Sequence, residues 1–197
     1  MAQSSKSPAK TPDLERMAEG VRRFLEGLGV DMGHPELADT PARVAAAWAD
    51  ELADGYQQDP QDALGALIPA TSQEPVFVTG LRFVSICPHH LMTFEGVAHL
   101  VYLPNTHIAG LGRFSKLVDT FAHRLELQEE LSRQISDALM THLRARGAGC
   151  VLVGRHGCMA HRGPRQDQAK VITCSWDGAL KDRIDLQQAL LSAATAP

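Results

Sequence analysis

Apolar residues recur at helical spacing in two segments near the start of the chain. The first segment follows Thr11-Pro12, a pair typical of an N-cap with proline in the first turn, and ends at Gly29. Its apolar positions are Leu14, Met17, Val21, Phe24, Leu25 and Leu28. The second segment begins at Thr40-Pro41 and ends near Gly55. Its apolar face is formed by Val44, Trp48 and Leu52. The pattern predicts N-terminal helices within residues 11–56.

After a proline-containing segment, 57–75, which we interpret as a connecting loop, the pattern becomes that of short runs rich in β-branched and aromatic residues. Such runs are typical of strands. The predicted strands cover residues 76–86, 97–103, 150–155 and 170–176. Helical spacing returns over residues 114–121, 127–143 and 180–191.

The order of these elements predicts the fold class. Two helices, a strand pair, two helices, a second strand pair and a final helix favour an α+β fold in which antiparallel β-hairpins carry helices on one face. Residues 1–10, rich in Ser, Lys, Ala and Pro, are expected to form a disordered tail. Residues 11–197 are expected to form a single domain, with residues 76–195 as its core.

Composition and charge narrow the class of function. The chain has 19 Lys and Arg against 23 Asp and Glu, a net charge of −4 that argues against a duplex-DNA binder. Only 5% of residues are aromatic, which argues against a stacking surface for single-stranded nucleic acid. No apolar run reaches the roughly 18–20 residues of a membrane span. The polar N-terminus is unlike a secretory signal, so we expect a cytoplasmic protein with unpaired cysteines.

Two short clusters in the links between predicted strands carry the most reactive side chains. They are Cys87-x-His89-His90 and His156-x-Cys158. Thiolate and imidazole are the preferred ligands of zinc, and two Cys with one His would leave a position open for water. Adjacent residues in an extended chain point in opposite directions, so only one of the neighbouring histidines is expected to bind the metal. The other would be placed to carry protons.

Other interpretations of these residues remain open at this level. A fourth protein ligand would make the site a closed structural one. Alternatively, the cysteines could be small buried residues and the histidines surface groups. Cys150 and Cys174 fit that simpler interpretation, because they lie inside strand-like runs.

Two further patterns suggest recognition of a phosphorylated base. Arg113 opens a predicted helix, Lys116 follows one turn later, and Arg162 lies in a polar loop. Cations near a helix start favour phosphate. Gln128 and Glu129 pair an amide with a carboxylate, a combination that can contact a base edge. Each pattern also occurs on ordinary solvated surfaces.

Taken together, these motifs resemble the GTP cyclohydrolase I family across roughly residues 12 to 192. The matching runs are Thr40-Pro-Ala-Arg43, Ser85-Ile-Cys-Pro-His-His90, Tyr102-Leu-Pro104, Gly110-Leu111, Leu127-Gln-Glu129 and His156-Gly-Cys-Met159 with Arg162-Gly163. The resemblance implies the tunnelling fold, assembly as a toroidal homodecamer with sites between subunits, and zinc as cofactor. It also implies hydrolysis of GTP at C8 with formate release and rearrangement to 7,8-dihydroneopterin triphosphate, the first step of folate and pterin biosynthesis.

The resemblance also implies roles for individual residues. It makes Cys87, His90 and Cys158 the zinc ligands, and His89 and His156 the catalytic histidines. The guanine-contacting pair would be Gln128 and Glu129. Phosphate contacts would come from Arg113, Lys116 and Arg162.

The sequence departs from the family at Pro88, usually Glu, at Gly112, usually Ser, and at Lys116, usually Arg. The last two positions lie among the phosphate contacts, and Arg and Lys are not equivalent at a bidentate site. Two alternatives therefore remain: a tunnelling-fold paralogue acting on a different purine or pterin, and a non-catalytic zinc-binding assembly protein.

Overall fold

The computed structural model of the chain describes residues 11–196. Its α-helices are α1 (Leu14–Gly27), α2 (Thr40–Ala47), α3 (Pro60–Leu64), α4 (Gly112–Ala122), α5 (Gln128–Thr141), α6 (Gly157–Ala160) and α7 (Ile184–Thr195). Its strands are β1 (Ile68–Pro69), β2 (Val76–Ile86), β3 (Thr93–Leu103), β4 (His107–Ile108), β5 (Gly147–His156) and β6 (Val171–Gly178). The predicted tail, residues 1–10, lies outside the described residues.

The main sheet has the order β2-β3-β5-β6, with every neighbouring pair antiparallel. Phe94 at the start of β3 lies opposite Ser85 on β2 and opposite His156 on β5. The end of β2, the start of β3 and the end of β5 therefore meet at one end of the sheet. The two hairpins with α4 and α5 between them confirm the predicted α+β tunnelling fold.

One face of this sheet carries the larger core. Even-numbered residues of β3 and β5 point to it, because side chains alternate along a strand. The fully buried members include Leu100, Tyr102 and Leu152 from the sheet, with Phe114 and Ile135 from α4 and α5. The apolar faces that the sequence pattern predicts for α4 and α5 therefore pack against this face of the sheet.

The opposite face is partly covered by α7. Val101 and Val151 of the sheet pack with Leu186 and Leu190 of this helix. The expected arrangement of helices on one face therefore describes α4 and α5, whereas α7 lies on the other side. The physical reason is that β3 and β5 are apolar on both faces, and both faces need cover from water.

Several boundaries differ from the sequence expectations. Asp13, rather than Thr11, caps α1, because its carboxylate accepts a hydrogen bond from the Arg16 amide. The expected loop over 57–75 contains α3, started by Asp59 and Pro60, and also β1, which pairs with β4. β3 begins at Thr93 rather than Val97, since Phe94 is needed in the core. The link after β2 is accordingly short and tight.

Candidate functional site

Three of the predicted ligands converge at the end of the sheet where β2, β3 and β5 meet. The ligand atoms of Cys87, His90 and Cys158 all lie within 4.8 Å of one another. Cys87 follows the last residue of β2, and Cys158 lies in α6, directly after β5. The antiparallel register that joins β2 and β5 through β3 brings these distant cysteines together.

The link between β2 and β3 is held by its own backbone. The Cys87 amide donates to the Met92 carbonyl, and the Leu91 amide donates to the Cys87 carbonyl, both at 2.9 Å. Leu91 has a φ of 54°, a left-handed conformation that is uncommon for a branched side chain and often marks a functional loop. The rings of the two neighbouring histidines, His89 and His90, have centroids 6.4 Å apart and planes 74° apart. His90 forms the three-residue group with the cysteines, whereas His89, with Nδ1 3.8 Å from the Cys87 sulfur, is not one of its members.

The donor set fits zinc. In tetrahedral coordination, zinc–sulfur bonds of about 2.3 Å and zinc–nitrogen bonds of about 2.0 Å separate neighbouring ligand atoms by about 3.5–3.8 Å. The observed group needs to contract by only about 1 Å. Burial raises the pKa of the Cys158 thiol, as do the charge and hydrogen bond of neighbouring Cys87, and Arg162 opposes the rise. Two thiolates this close would repel each other, and a bound cation would offset that repulsion.

His156, the last residue of β5, lies beside this group and is fixed on two sides. Its ring stacks on Phe94 with the centroids 4.6 Å apart and the planes parallel within 1°. Its Nε2 atom is 2.9 Å from Oε1 of Gln128. Burial lowers the pKa of the imidazole, and the nearby Glu129 carboxylate opposes that shift. The neutral ring is therefore favoured near neutral pH.

Gln128 and Glu129 begin α5 next to this histidine, but their side chains differ in environment. Gln128 is 1% exposed, and its amide nitrogen donates to the Leu152 and Val171 carbonyls. Glu129 is exposed to solvent and close enough to act electrostatically on His156. Of this predicted pair, only Glu129 is exposed to solvent.

The basic residues divide into two groups. Arg162 lies in the exposed loop after α6, and its charge acts on the pKa of the Cys158 thiol, which indicates that it lies near the cysteine–histidine group. Arg113 and Lys116 are near the start of α4. Ile86, which precedes Cys87, is hydrogen-bonded to Arg124 and Glu126, just beyond the C-terminal end of α4. Arg113 and Lys116 lie about 9–14 Å from that end, measured along the helix axis. Within one chain the structure does not bring these two cations to the cysteines.

Arg113 and Lys116 have surroundings of their own. The Arg113 guanidinium covers Gly65, where an added Cβ would lie 2.9 Å from Cζ. Lys116 lines a cavity of about 430 Å³ together with Asp119 and His123. They are available on the surface of α4 but are not part of the cysteine–histidine group of the same chain.

Comparison with known proteins decides the family. The model of the family described as GTP cyclohydrolase I matches residues 17–195. The chain belongs to the GTP cyclohydrolase I family. GTP cyclohydrolase 1 of Thermobifida fusca (strain YX) is 41% identical over 172 residues, covering 86% of this chain and 83% of the relative. GTP cyclohydrolase 1 of Bartonella henselae is 38% identical over 181 residues, covering 90% and 87%. The chain is therefore an enzyme of the GTP cyclohydrolase I type.

Among solved structures, archaeosine synthase QueF-Like in the apo form aligns with a TM-score of 0.46 and 17% identity. It covers 55% of this chain and 98% of that one, a likeness that carries no functional information. Among the described residues, none of the helices combines the length and apolar character needed to cross a membrane.

The structure of this family member adds residues that the sequence analysis missed. Phe94 forms the stacking surface for His156, and Thr173 of β6 holds the buried end of Gln128. Gly154 lies against the same amide, and an added Cβ would be 2.3 Å from its Oε1 atom. Sequence position gives no signal for Thr173, whereas glycine within a strand commonly marks a close approach of another group.

Proposed function

We propose that this enzyme catalyses zinc-dependent hydrolysis of GTP at C8, releasing formate and forming 7,8-dihydroneopterin triphosphate, the first step of folate and pterin biosynthesis. The observation that carries the proposal is the convergence of Cys87, His90 and Cys158 beside the fixed ring of His156. Family membership supports GTP as the substrate. We place the reaction in the cytoplasm as part of the same proposal.

Zinc fits the three ligands and would supply a Lewis acid that activates water at neutral pH. The protein's own residues then manage protons. C8 of guanine becomes a good electrophile only when N7 is protonated, and His156 and His89 are the groups placed to move that proton. His156 is held by stacking and a hydrogen bond, whereas His89 is exposed with Nδ1 3.8 Å from the Cys87 sulfur.

Recognition of the nucleotide is assigned to charged groups around this centre. The Glu129 carboxylate, adjoining Gln128, is proposed to contact the guanine edge, since a carboxylate accepts from ring NH and amino groups. Arg162 is proposed to contact phosphate, because its guanidinium can form two parallel hydrogen bonds. Arg113 and Lys116 would complete the phosphate contacts from a neighbouring subunit.

Assembly into a homodecamer is part of the proposal. Two observations support contacts between copies of the chain: the start of α4 is remote from the cysteines of its own chain, and α1 exposes a strip of apolar surface. Phe24 is 67% exposed and Leu28 is 64% exposed. Large apolar side chains clustered on one helix face commonly mark an interaction surface.

The test is a comparison of Cys158→Ser with Cys174→Ser, an exposed cysteine on β6 that serves as the matched control. We expect Cys158→Ser to lose bound zinc and formate release, while Cys174→Ser keeps about one zinc per chain and full activity. Formate, zinc content and pterin fluorescence after oxidation are measured with GTP as substrate. Normal formate release by zinc-free Cys158→Ser would contradict the proposal. Zinc binding without any GTP turnover by the unmodified protein would instead favour the non-catalytic alternative.

A further inference from the structure

The amide of Gln128 has a defined orientation in the protein. Its nitrogen lies 3.3 Å from the Leu152 carbonyl oxygen, 3.0 Å from the Val171 carbonyl oxygen and 3.3 Å from the Thr173 hydroxyl. Carbonyl oxygens only accept hydrogen bonds, so the group facing them must be the donating NH₂. The Thr173 hydroxyl donates its own proton to the Gln128 backbone carbonyl at 3.3 Å and is thereby left as an acceptor. A flipped amide would place oxygen against oxygen.

This orientation determines the state of the neighbouring histidine. With its nitrogen anchored in the sheet, Gln128 presents Oε1 to Nε2 of His156 at 2.9 Å. An amide oxygen only accepts, so Nε2 must carry the proton. In the neutral ring the other nitrogen, Nδ1, then holds the free lone pair. Within residues 11–196, Nδ1 has no hydrogen-bond partner, and it is the nitrogen left for the substrate.

We propose that Gln128 is a positioning residue that holds His156 as the Nε2–H tautomer, so that Nδ1 exchanges the proton with the substrate. The catalytic part of this inference rests on the proposed function, whereas the tautomer depends only on the fold. Phe94 fixes the plane of the ring, and Gln128 fixes its rotation within that plane. Together these two contacts leave Nδ1 as the only ring nitrogen free to exchange a proton, and they fix its direction.

The Gln128 side chain is too buried and too fully hydrogen-bonded to contact guanine directly without rearrangement. The side chain is 1% exposed, and its NH₂ group is shared among three acceptors of β5 and β6. Binding a base would therefore require breaking hydrogen bonds that already satisfy a buried group, at a cost for each one left unmade. Substitution of Gln128 is accordingly expected to affect turnover rather than nucleotide affinity.

The experiment uses the full-length, zinc-loaded protein with ¹⁵N-labelled histidine. In two-bond ¹H–¹⁵N spectra recorded at a pH where the ring is neutral, we expect His156 to show a protonated Nε2 and an unprotonated Nδ1. In Gln128→Met, which keeps side-chain length without an acceptor oxygen, we expect a mixture of tautomers. The turnover number should fall about 10- to 100-fold with the dissociation constant for GTP within about twofold. Gln134→Met, on the same helix, is the matched control with a wild-type His156 spectrum.

Thr173→Val and Thr173→Ser provide a milder pair if Gln128→Met folds poorly. Valine removes one anchor of the amide and should produce partial tautomer mixing, and serine should restore the wild-type spectrum. A protonated Nδ1 in the wild-type protein would overturn the inference, as would an unchanged His156 spectrum in Gln128→Met. Loss of GTP affinity at constant turnover number in that variant would assign Gln128 to base recognition instead. If the wild-type enzyme does not turn over GTP, the proposed function fails, and the spectra still decide the tautomer.

Discussion

Replacement of Gly154 by alanine should misplace the His156 ring indirectly, through the Gln128 side chain. The added Cβ would lie 2.3 Å from Oε1 and 3.1 Å from Cδ of Gln128, well inside van der Waals contact. Gly154 is on β5, paired with both β3 and β6, so the strand cannot move aside easily. The Gln128 side chain must yield, and its hydrogen bond to His156 lengthens or breaks.

The expected loss of stability in Gly154→Ala follows from the number of hydrogen bonds that the displaced amide would break. A buried polar group left without a partner costs about 1–3 kcal/mol. If displacement of the amide leaves two buried groups without partners, the free energy of unfolding should fall by about 2–6 kcal/mol. A misplaced catalytic group can lower the rate by up to about 100-fold. We therefore expect the turnover number of folded Gly154→Ala to drop by about 10- to 100-fold.

Urea unfolding and steady-state kinetics measure the two effects separately, at a temperature where the variant remains folded. Gly149→Ala is the matched control: an added Cβ there would lie 2.4 Å from the Trp176 ring, on the same strand but remote from His156. It should lose stability and keep its turnover number. A Gly154→Ala enzyme with unchanged stability and turnover would refute the reasoning, and equal loss of turnover in both variants would show a general effect of strand distortion.

Two other predictions concern stability and substrate binding. Burial lowers the pKa of His99, whose Nδ1 is buried without a partner, so the unfolded chain binds more protons below its ordinary pKa of about 6.5. Stability should therefore fall as the pH drops below about 7, by at most about 1.4 kcal/mol per pH unit from this group, and urea unfolding of His99→Phe should show a correspondingly flatter profile. Parallel profiles would contradict this. Lys116→Ala should raise KM for GTP about tenfold, the equivalent of about 1.4 kcal/mol, with zinc content unchanged; an unaltered KM would remove Lys116 from the phosphate contacts.

Much of the fold was predictable because periodicity reports directly on burial. The strands over 76–86 and 170–176 and the helices around Phe114 and over 127–143 appear close to their predicted positions. Features that depend on distant partners were not predictable, which applies to the existence of β1 and to the placement of the predicted C-terminal helix, α7. β1 exists only through its pairing with β4, and α7 covers the sheet face opposite α4 because of contacts that local spacing does not encode.

The candidate site shows the same division. Residue chemistry and spacing predicted a metal group from Cys87, Cys158 and one of two histidines, and the resemblance named His90, which the geometry places with the cysteines. The supports of His156 came only from the structure. Stacking by Phe94 and anchoring by Thr173 depend on strand register, which no local pattern specifies. Sequence therefore indicates which groups can react, and register determines how each one is held.

The tight turn from Cys87 to Met92 has a consequence for how the enzyme would acquire the proposed zinc ion. Its two backbone hydrogen bonds and the buried end of β2 hold Cys87 and His90 near each other through the polypeptide alone. Small zinc domains, in contrast, fold only as the ion binds. Here we expect the chain to keep its fold as the ion comes and goes. Zinc occupancy would then follow the concentration of available zinc. A shortage of zinc would inactivate the enzyme reversibly, without unfolding it and exposing it to proteolysis.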